Sequence, residues 1–149
     1  MRSLRLWSPA ILWAATIWFF STGNFSSPAT SRIIIPLLRW LFPQASPDTL
    51  ELMHFLTRKA AHFTEFFIFS LLVLRGIRGG RPGWKLTWAL ATLAIAAGYA
   101  ALDEFHQAFV PGRTASAMDS LIDTCGATGA QLVAWLRTRW HFRNSGTLA

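Results

Sequence analysis

Three short stretches of this 149-residue chain carry side chains with the chemistry of proton transfer or anion recognition. In the first, Lys59, His62 and Glu65 recur at three-residue spacing, with Arg58 beside them. The second runs Asp103-Glu104-Phe105-His106-Gln107 and on to Pro111-Gly112-Arg113, and the third holds Asp119 and Asp123 one helical turn apart. A carboxylate beside an imidazole suits general acid/base work, because neighbouring charges push their proton affinities apart. On that ground His62, Asp103 and Glu104 are the candidate catalytic groups. A guanidinium or ammonium among acids suits a phosphate or carboxylate ligand. Lys59, Gln107 and Arg113, with Asp119, Glu65 and Asp123 around them, are the candidate ligand-binding residues.

Metal chemistry has weaker support. His62, His106 and the carboxylates offer nitrogen and oxygen donors for a divalent cation, yet there is no HExxH and no pair of His at i and i+4. The carboxylates and Arg113 also account for one another as a charge network, so no metal and no other cofactor is expected. Cys125 is the single cysteine, which excludes an internal disulfide and a thiolate cage. No glycine-rich phosphate loop and no GxSxG is present.

The elements that must position these groups are apolar. With 52% hydrophobic residues, eight Trp and twelve Phe, and a mean hydropathy of +0.34, the composition is that of an integral membrane protein. Four apolar segments stand out, at Leu6–Ser21, Ala60–Leu74, Leu86–Leu102 and Met118–Leu136. Rich in Ala and Leu and without period-two alternation, they predict helices near the length that crosses a bilayer. The expected fold is an all-α integral membrane bundle of four transmembrane helices. Between the first two, prolines at 28, 36, 43 and 47 interrupt the chain, and Arg32–Trp40 suits a short interfacial or re-entrant helix. Ser46-Pro47-Asp48 reads as a helix start well ahead of the second apolar run.

At 100° per residue, Lys59, His62 and Glu65 share one polar stripe with Arg58. Asp119, Asp123, Gly126 and Ala130 share another face, as Ala96 and Ala100 do with Asp103. Small residues allow close backbone approach in lipid, so the third and fourth segments are expected to pack tightly on each other. Gly112 allows a sharp turn that would aim Arg113 back over the acids.

A net charge of +7 does not mark a nucleic-acid binder here, because the basic residues flank apolar runs instead of lining a polar domain. Arg2, Arg5, Arg75, Arg78, Arg81, Lys85, Arg137, Arg139 and Arg143 fall on one side with no acid; the other side holds five basic residues and all seven acids. The positive-inside rule then puts both termini in the cytoplasm and the acids on the outer face of the membrane. Arg2 and Arg5 before an apolar run also resemble a secretory signal, and its removal would leave the other segments oriented as before. The whole chain reads as one membrane domain, 1–149, in which 138–149 form a polar, mobile cytoplasmic tail.

Three of these stretches, RKAAHFTEFFIFSLLVL, DEFHQAFVPGR and ASAMDSLIDTCGATGAQL, occur in the order seen in the VanZ-like family of small bacterial membrane proteins, which the chain resembles over about 50–137. FFSTGNFS after the first segment resembles the family's exit from its first span. The resemblance implies that Lys59, His62, Asp103, Glu104, Gln107, Pro111, Gly112, Arg113 and Asp119 are recurring polar positions, and that Phe66 stands where a Tyr is usual. It also implies a link to the cell envelope and to resistance against the glycopeptide teicoplanin.

Two functions follow as expectations. One is a pocket facing out of the cytoplasm that binds an anionic envelope or lipid-linked ligand, with membrane lipids as its other partners. The alternative is a membrane enzyme, a hydrolase or transferase, using acid/base chemistry on a lipid-linked substrate. The residues alone do not select between them, and oligomeric state leaves no signature in the chain.

Overall fold

The computed structural model describes residues 2–145, and every regular element among them is helical. The chain runs through α1 (Arg2–Phe20), a 3₁₀ turn (Gly23–Phe25), α2 (Ser27–Leu41), α3 (Pro47–Arg78), α4 (Leu86–Gln107) and α5 (Ala117–Ser145). The all-α fold is as expected. Helices α3 and α4 are each long and apolar enough to cross a membrane. Only 33% of the apolar window of each is buried, so their hydrocarbon surface faces outward, as a bilayer requires and a water-soluble core does not.

Local chemistry explains the boundaries. Ser46 caps α3 by accepting the Thr49 N–H at 3.2 Å, with Pro47 in the first turn. That start, far ahead of the apolar run, is the one the Ser-Pro-Asp sequence predicts. Gly79, at φ +63°, takes the left-handed conformation that closes α3. The helix between the first two apolar segments is longer than Arg32–Trp40, spanning fifteen residues with Pro28 near its start and Pro36 inside. Pro36 is tolerated because it lies on an exposed face, where the carbonyl it strands is not sealed from solvent or headgroups. No residue of α2 is buried. Residues 138–145, the first part of the segment expected as a tail, continue α5; 146–149 lie outside the described residues.

The core joins Ala10 and Ile17 of α1, Phe66, Phe69 and Val73 of α3, Ala96 and Ala100 of α4, and Ala127 of α5. Helix α1 is also tied in by hydrogen bonds, Trp13 Nε1 donating to the Glu65 carbonyl at 2.9 Å and the Tyr99 hydroxyl to the Ala14 carbonyl at 2.7 Å. Helix α1 is thus packed into the folded body.

The small-residue face of α5 is buried; α5 packs on α4, as expected, and more extensively on α3. A Cβ built on Gly126 would overlap the Phe63 backbone carbonyl. Ser70 and Gln131 continue this seam, the Ser70 hydroxyl donating to the Ala127 carbonyl at 3.0 Å and Gln131 Nε2 to Ser70 Oγ at 2.9 Å. Polar groups one and two turns along both helices thus find each other across the contact, a pairing that small-residue spacing alone does not reveal. Gly126→Ala is expected to cost about 1–3 kcal/mol by overpacking against backbone. Gly129→Ala, whose Cβ would meet side chains alone, the Phe63 ring at 3.4 Å and the Phe67 ring at 3.8 Å, should cost much less; melting in detergent measures both.

Candidate functional site

The ends of α3, α4 and α5 that carry the acids meet in one buried network, closed on one side by the end of α1. Asp103, Glu104, Gln107, Asp119 and Asp123 are all buried. The helical stripe predicted on α3 divides between two directions. Lys59 pairs with Asp119, and His62 Nδ1 lies 3.2 Å from Asp123 Oδ1, both toward α5. Arg58 turns toward the 3₁₀ turn and α2, donating from Nη1 to the Phe25 carbonyl at 2.9 Å and to the Thr30 hydroxyl at 3.2 Å.

Asp103 sits at the centre. One of its oxygens accepts the Ser21 hydroxyl, and the other accepts Gln107 Nε2 at 2.8 Å, one turn along α4. Glu104, pointing elsewhere on the same turn, accepts the Ser116 N–H through Oε2 at 2.6 Å and so fixes the start of α5. Glu104 Oε1 and Asp123 Oδ2 are buried without a hydrogen-bond partner.

Arg113 does not lie over the acids as an ion-pair partner. Gly112 takes φ +79°, which only glycine adopts readily, and makes the expected turn. The guanidinium then reaches α1 instead: Nε donates to the Thr22 carbonyl at 3.3 Å and Nη2 to the Phe20 carbonyl. The last carbonyls of a helix lack partners and carry its negative dipole end, so a cation there is doubly favoured. Burial and the nearby Arg58 lower the Arg113 proton affinity from its ordinary value, leaving a guanidinium that stays charged at neutral pH.

Beside the network lies a cavity of about 190 Å³, lined among others by Ser21, Arg58, His62, Glu65, Asp103 and Arg113. Gln107 also lines it, whereas Lys59, Glu104, Asp119 and Asp123 stand behind. Phe20, Phe25, Ile34 and Ala61 give it an apolar wall, beside which Thr30 and Thr57 complete the lining. Two guanidinium groups, an imidazole and two carboxylates therefore face one small space that also offers hydrocarbon contact. Such a space can hold one anionic group attached to an apolar chain.

Ser21, Thr30 and His54 were not legible as members of this region. Ser21 belongs to FFSTGNFS, but nothing in its spacing points at Asp103, 82 positions away. His54 Nε2 lies 3.1 Å from the Thr30 hydroxyl and holds α2 to α3. His106, one of the nitrogen donors the sequence offers, stacks on Trp18 with centroids 3.9 Å apart. His62, Glu104 and Asp123 are the residues placed to hold a metal, with one donor atom of each within 4.8 Å of the others.

Lys59 and Asp119 are only 21% and 10% exposed, so removing one partner strands a charge largely withdrawn from water. Lys59→Met or Asp119→Asn alone should each lower stability by about 1–3 kcal/mol. Lys59→Met with Asp119→Leu should recover most of the loss, as read by chemical denaturation in detergent.

The model of the VanZ/LLP1 family matches residues 6–138. No curated protein and no solved structure matches the chain.

Proposed function

The chain belongs to the VanZ/LLP1 family, and from that membership and the cavity geometry we propose that it is a multi-pass membrane protein binding an anionic, lipid-linked envelope ligand in the space between α1, α2, α3 and α4. Four helices cross the membrane, α1 and α5 in addition to α3 and α4, and α2 lies along the outer surface. The exposed apolar side chains of α1 and α5, among them Ile11, Leu12, Leu121, Leu132 and Leu136, support this placement. Both termini are cytoplasmic by the distribution of basic residues, and the cavity opens on the other face.

The observation that carries this function is the pair Arg58 and Arg113 facing one small cavity with His62 while an apolar wall stands opposite. Arg58 and Arg113 hold the anionic group, Gln107 and Asp103 set its orientation by hydrogen bonding, and Ile34 and Phe25 receive the first part of the chain. Lys59, Asp119, Glu65 and Asp123 keep the surrounding charges fixed. Retention of a long-chain lipid in this space would withdraw an envelope intermediate from its surroundings, which is a route to altered glycopeptide susceptibility.

The purified protein should retain a polyprenyl phosphate at least tenfold better than the uncharged polyprenol of the same length. Arg113→Lys should lose most of that preference, because an ammonium reproduces the charge but not the planar fork. Equal retention of phosphate and alcohol by the native protein would contradict the assignment.

An enzymatic role for the same residues is favoured by the unpartnered oxygens Glu104 Oε1 and Asp123 Oδ2. With His62 they form a nitrogen-and-carboxylate donor set suited to Zn²⁺ or Mn²⁺. Such an ion would supply Lewis-acid activation at the cavity wall. Donors around it stand about 3–3.6 Å apart when coordination is tetrahedral, so modest side-chain rotation suffices. Equilibrium dialysis of the full chain should find about one ion per chain, lost in Asp123→Asn. Stoichiometric binding unchanged by that substitution, or no binding at all, would remove this support for catalysis.

A further inference from the structure

The end of the bundle away from the acids holds a second cavity, larger than the first at about 550 Å³. It forms where α3 finishes, where the α3–α4 connection turns at Pro82-Gly83-Trp84, and along the last part of α5. Arg78 lies sixteen residues beyond His62 on one helix, about 24 Å further along its axis. Nothing in this cavity belongs to the carboxylate network.

Its chemistry is one-sided. Arg75, Arg78 and Arg137 line it together with His141, and no acid does. The sequence makes this more than a local accident: no Asp or Glu occurs before Asp48, between Glu65 and Asp103, or after Asp123. Neither the second half of α3, nor the connection, nor the far half of α5 can therefore supply a carboxylate. Among the described residues none of the three arginines makes an ion pair.

Two N–H donors point to a missing acceptor. Arg78 Nε and Trp84 Nε1 are both buried without a hydrogen-bond partner, a costly condition that native structures rarely leave unanswered. The usual local explanation does not apply, because another residue already serves the helix end. Arg81 donates to the Arg78 and Ile77 carbonyls and lies over the Trp88 ring. The remaining wall, from Leu71, Leu74, Val133 and Ala134, is apolar.

We propose that this cavity binds the phosphate-bearing headgroup of an anionic glycerophospholipid, with the acyl chains lying along Leu71 and Val133. The arginines match the phosphate charge and its bidentate geometry, and buried Arg78 Nε and Trp84 Nε1 donate to its oxygens. The apolar wall distinguishes a lipid from a free anion, which has no use for it. Basic pockets between membrane helices recognise headgroups by this same combination. The site is separate from the ligand cavity and does not depend on what that cavity binds.

Native mass spectrometry of the full-length protein, mixed with phosphatidylglycerol, phosphatidylcholine or glycerol phosphate, tests the assignment. Phosphatidylglycerol should survive gas-phase activation at least tenfold better than phosphatidylcholine, and glycerol phosphate should not displace it at equal concentration. Arg78→Gln with Arg137→Gln should bring the two lipids level, whereas Arg5→Gln, a charge outside the cavity, should leave the preference intact. Trp84→Phe keeps an aromatic ring but removes the donor and should lower the preference severalfold; it provides the readout if the double variant does not fold. Equal retention of both lipids by the native protein, or an equal effect of Arg5→Gln, would overturn the proposal. Displacement by glycerol phosphate would show the free anion to be the ligand and overturn it as well.

Discussion

The pairing of α3 with α5 is the constraint on which the rest of this molecule depends. It combines a close backbone approach, Gly126 against the Phe63 carbonyl, with polar bonds both above and below that point. Polar groups on membrane helices are expensive unless each finds a partner. Here Lys59, His62 and Ser70 on one helix meet Asp119, Asp123 and the Ala127 carbonyl on the other. The contact therefore fixes register as well as proximity. A shift of one residue along either helix would break every bond of the seam at once, and that specificity holds the carboxylates of α4 in place beside it.

Much of this arrangement was readable in the chain because helical periodicity and composition act locally. The helix over the second apolar run, its early start at Ser46-Pro47, the turn at Gly112 and the grouping of acids all follow from neighbouring residues. Less readable was the choice of partner between helices. The faces of Asp119, Asp123 and Gly126 were evident, but α3 and α4 both offered suitable small or polar surfaces, and only the simultaneous fit of Lys59, His62 and Ser70 decides in favour of α3. Arg113 failed as an ion-pair partner for a similar reason. Its attraction to carboxylates was considered without the bare carbonyls at the end of α1, which lie more than 90 positions away in sequence and compete for the same donors.

Charge is distributed along the bundle axis with unusual strictness. One end concentrates every acid, balanced in part by Lys59, Arg58 and Arg113; the other has only basic residues and no Asp or Glu. The first end pairs acids with bases internally, leaving Glu104 Oε1, His106 Nδ1 and Asp123 Oδ2 without partners. The second has no acid to offer its cations, and there the buried Arg78 Nε and Trp84 Nε1 have no acceptor. The contrasting chemistry of the two ends thus comes from one property of the sequence.

Helix α2 contributes a wall to the cavity beside the carboxylates through Thr30 and Ile34, yet it buries no residue of its own. Its attachment to α3 rests largely on the Thr30 hydroxyl, which meets both Arg58 and His54. Elements anchored by so little buried surface open at the lowest free energy in a fold. A ligand of the proposed kind would then enter most easily sideways, beneath a lifted α2. A hydrocarbon-tailed molecule could slide in from the surrounding leaflet without its tail ever crossing water, so its abundance in that leaflet, not in solution, would govern occupancy.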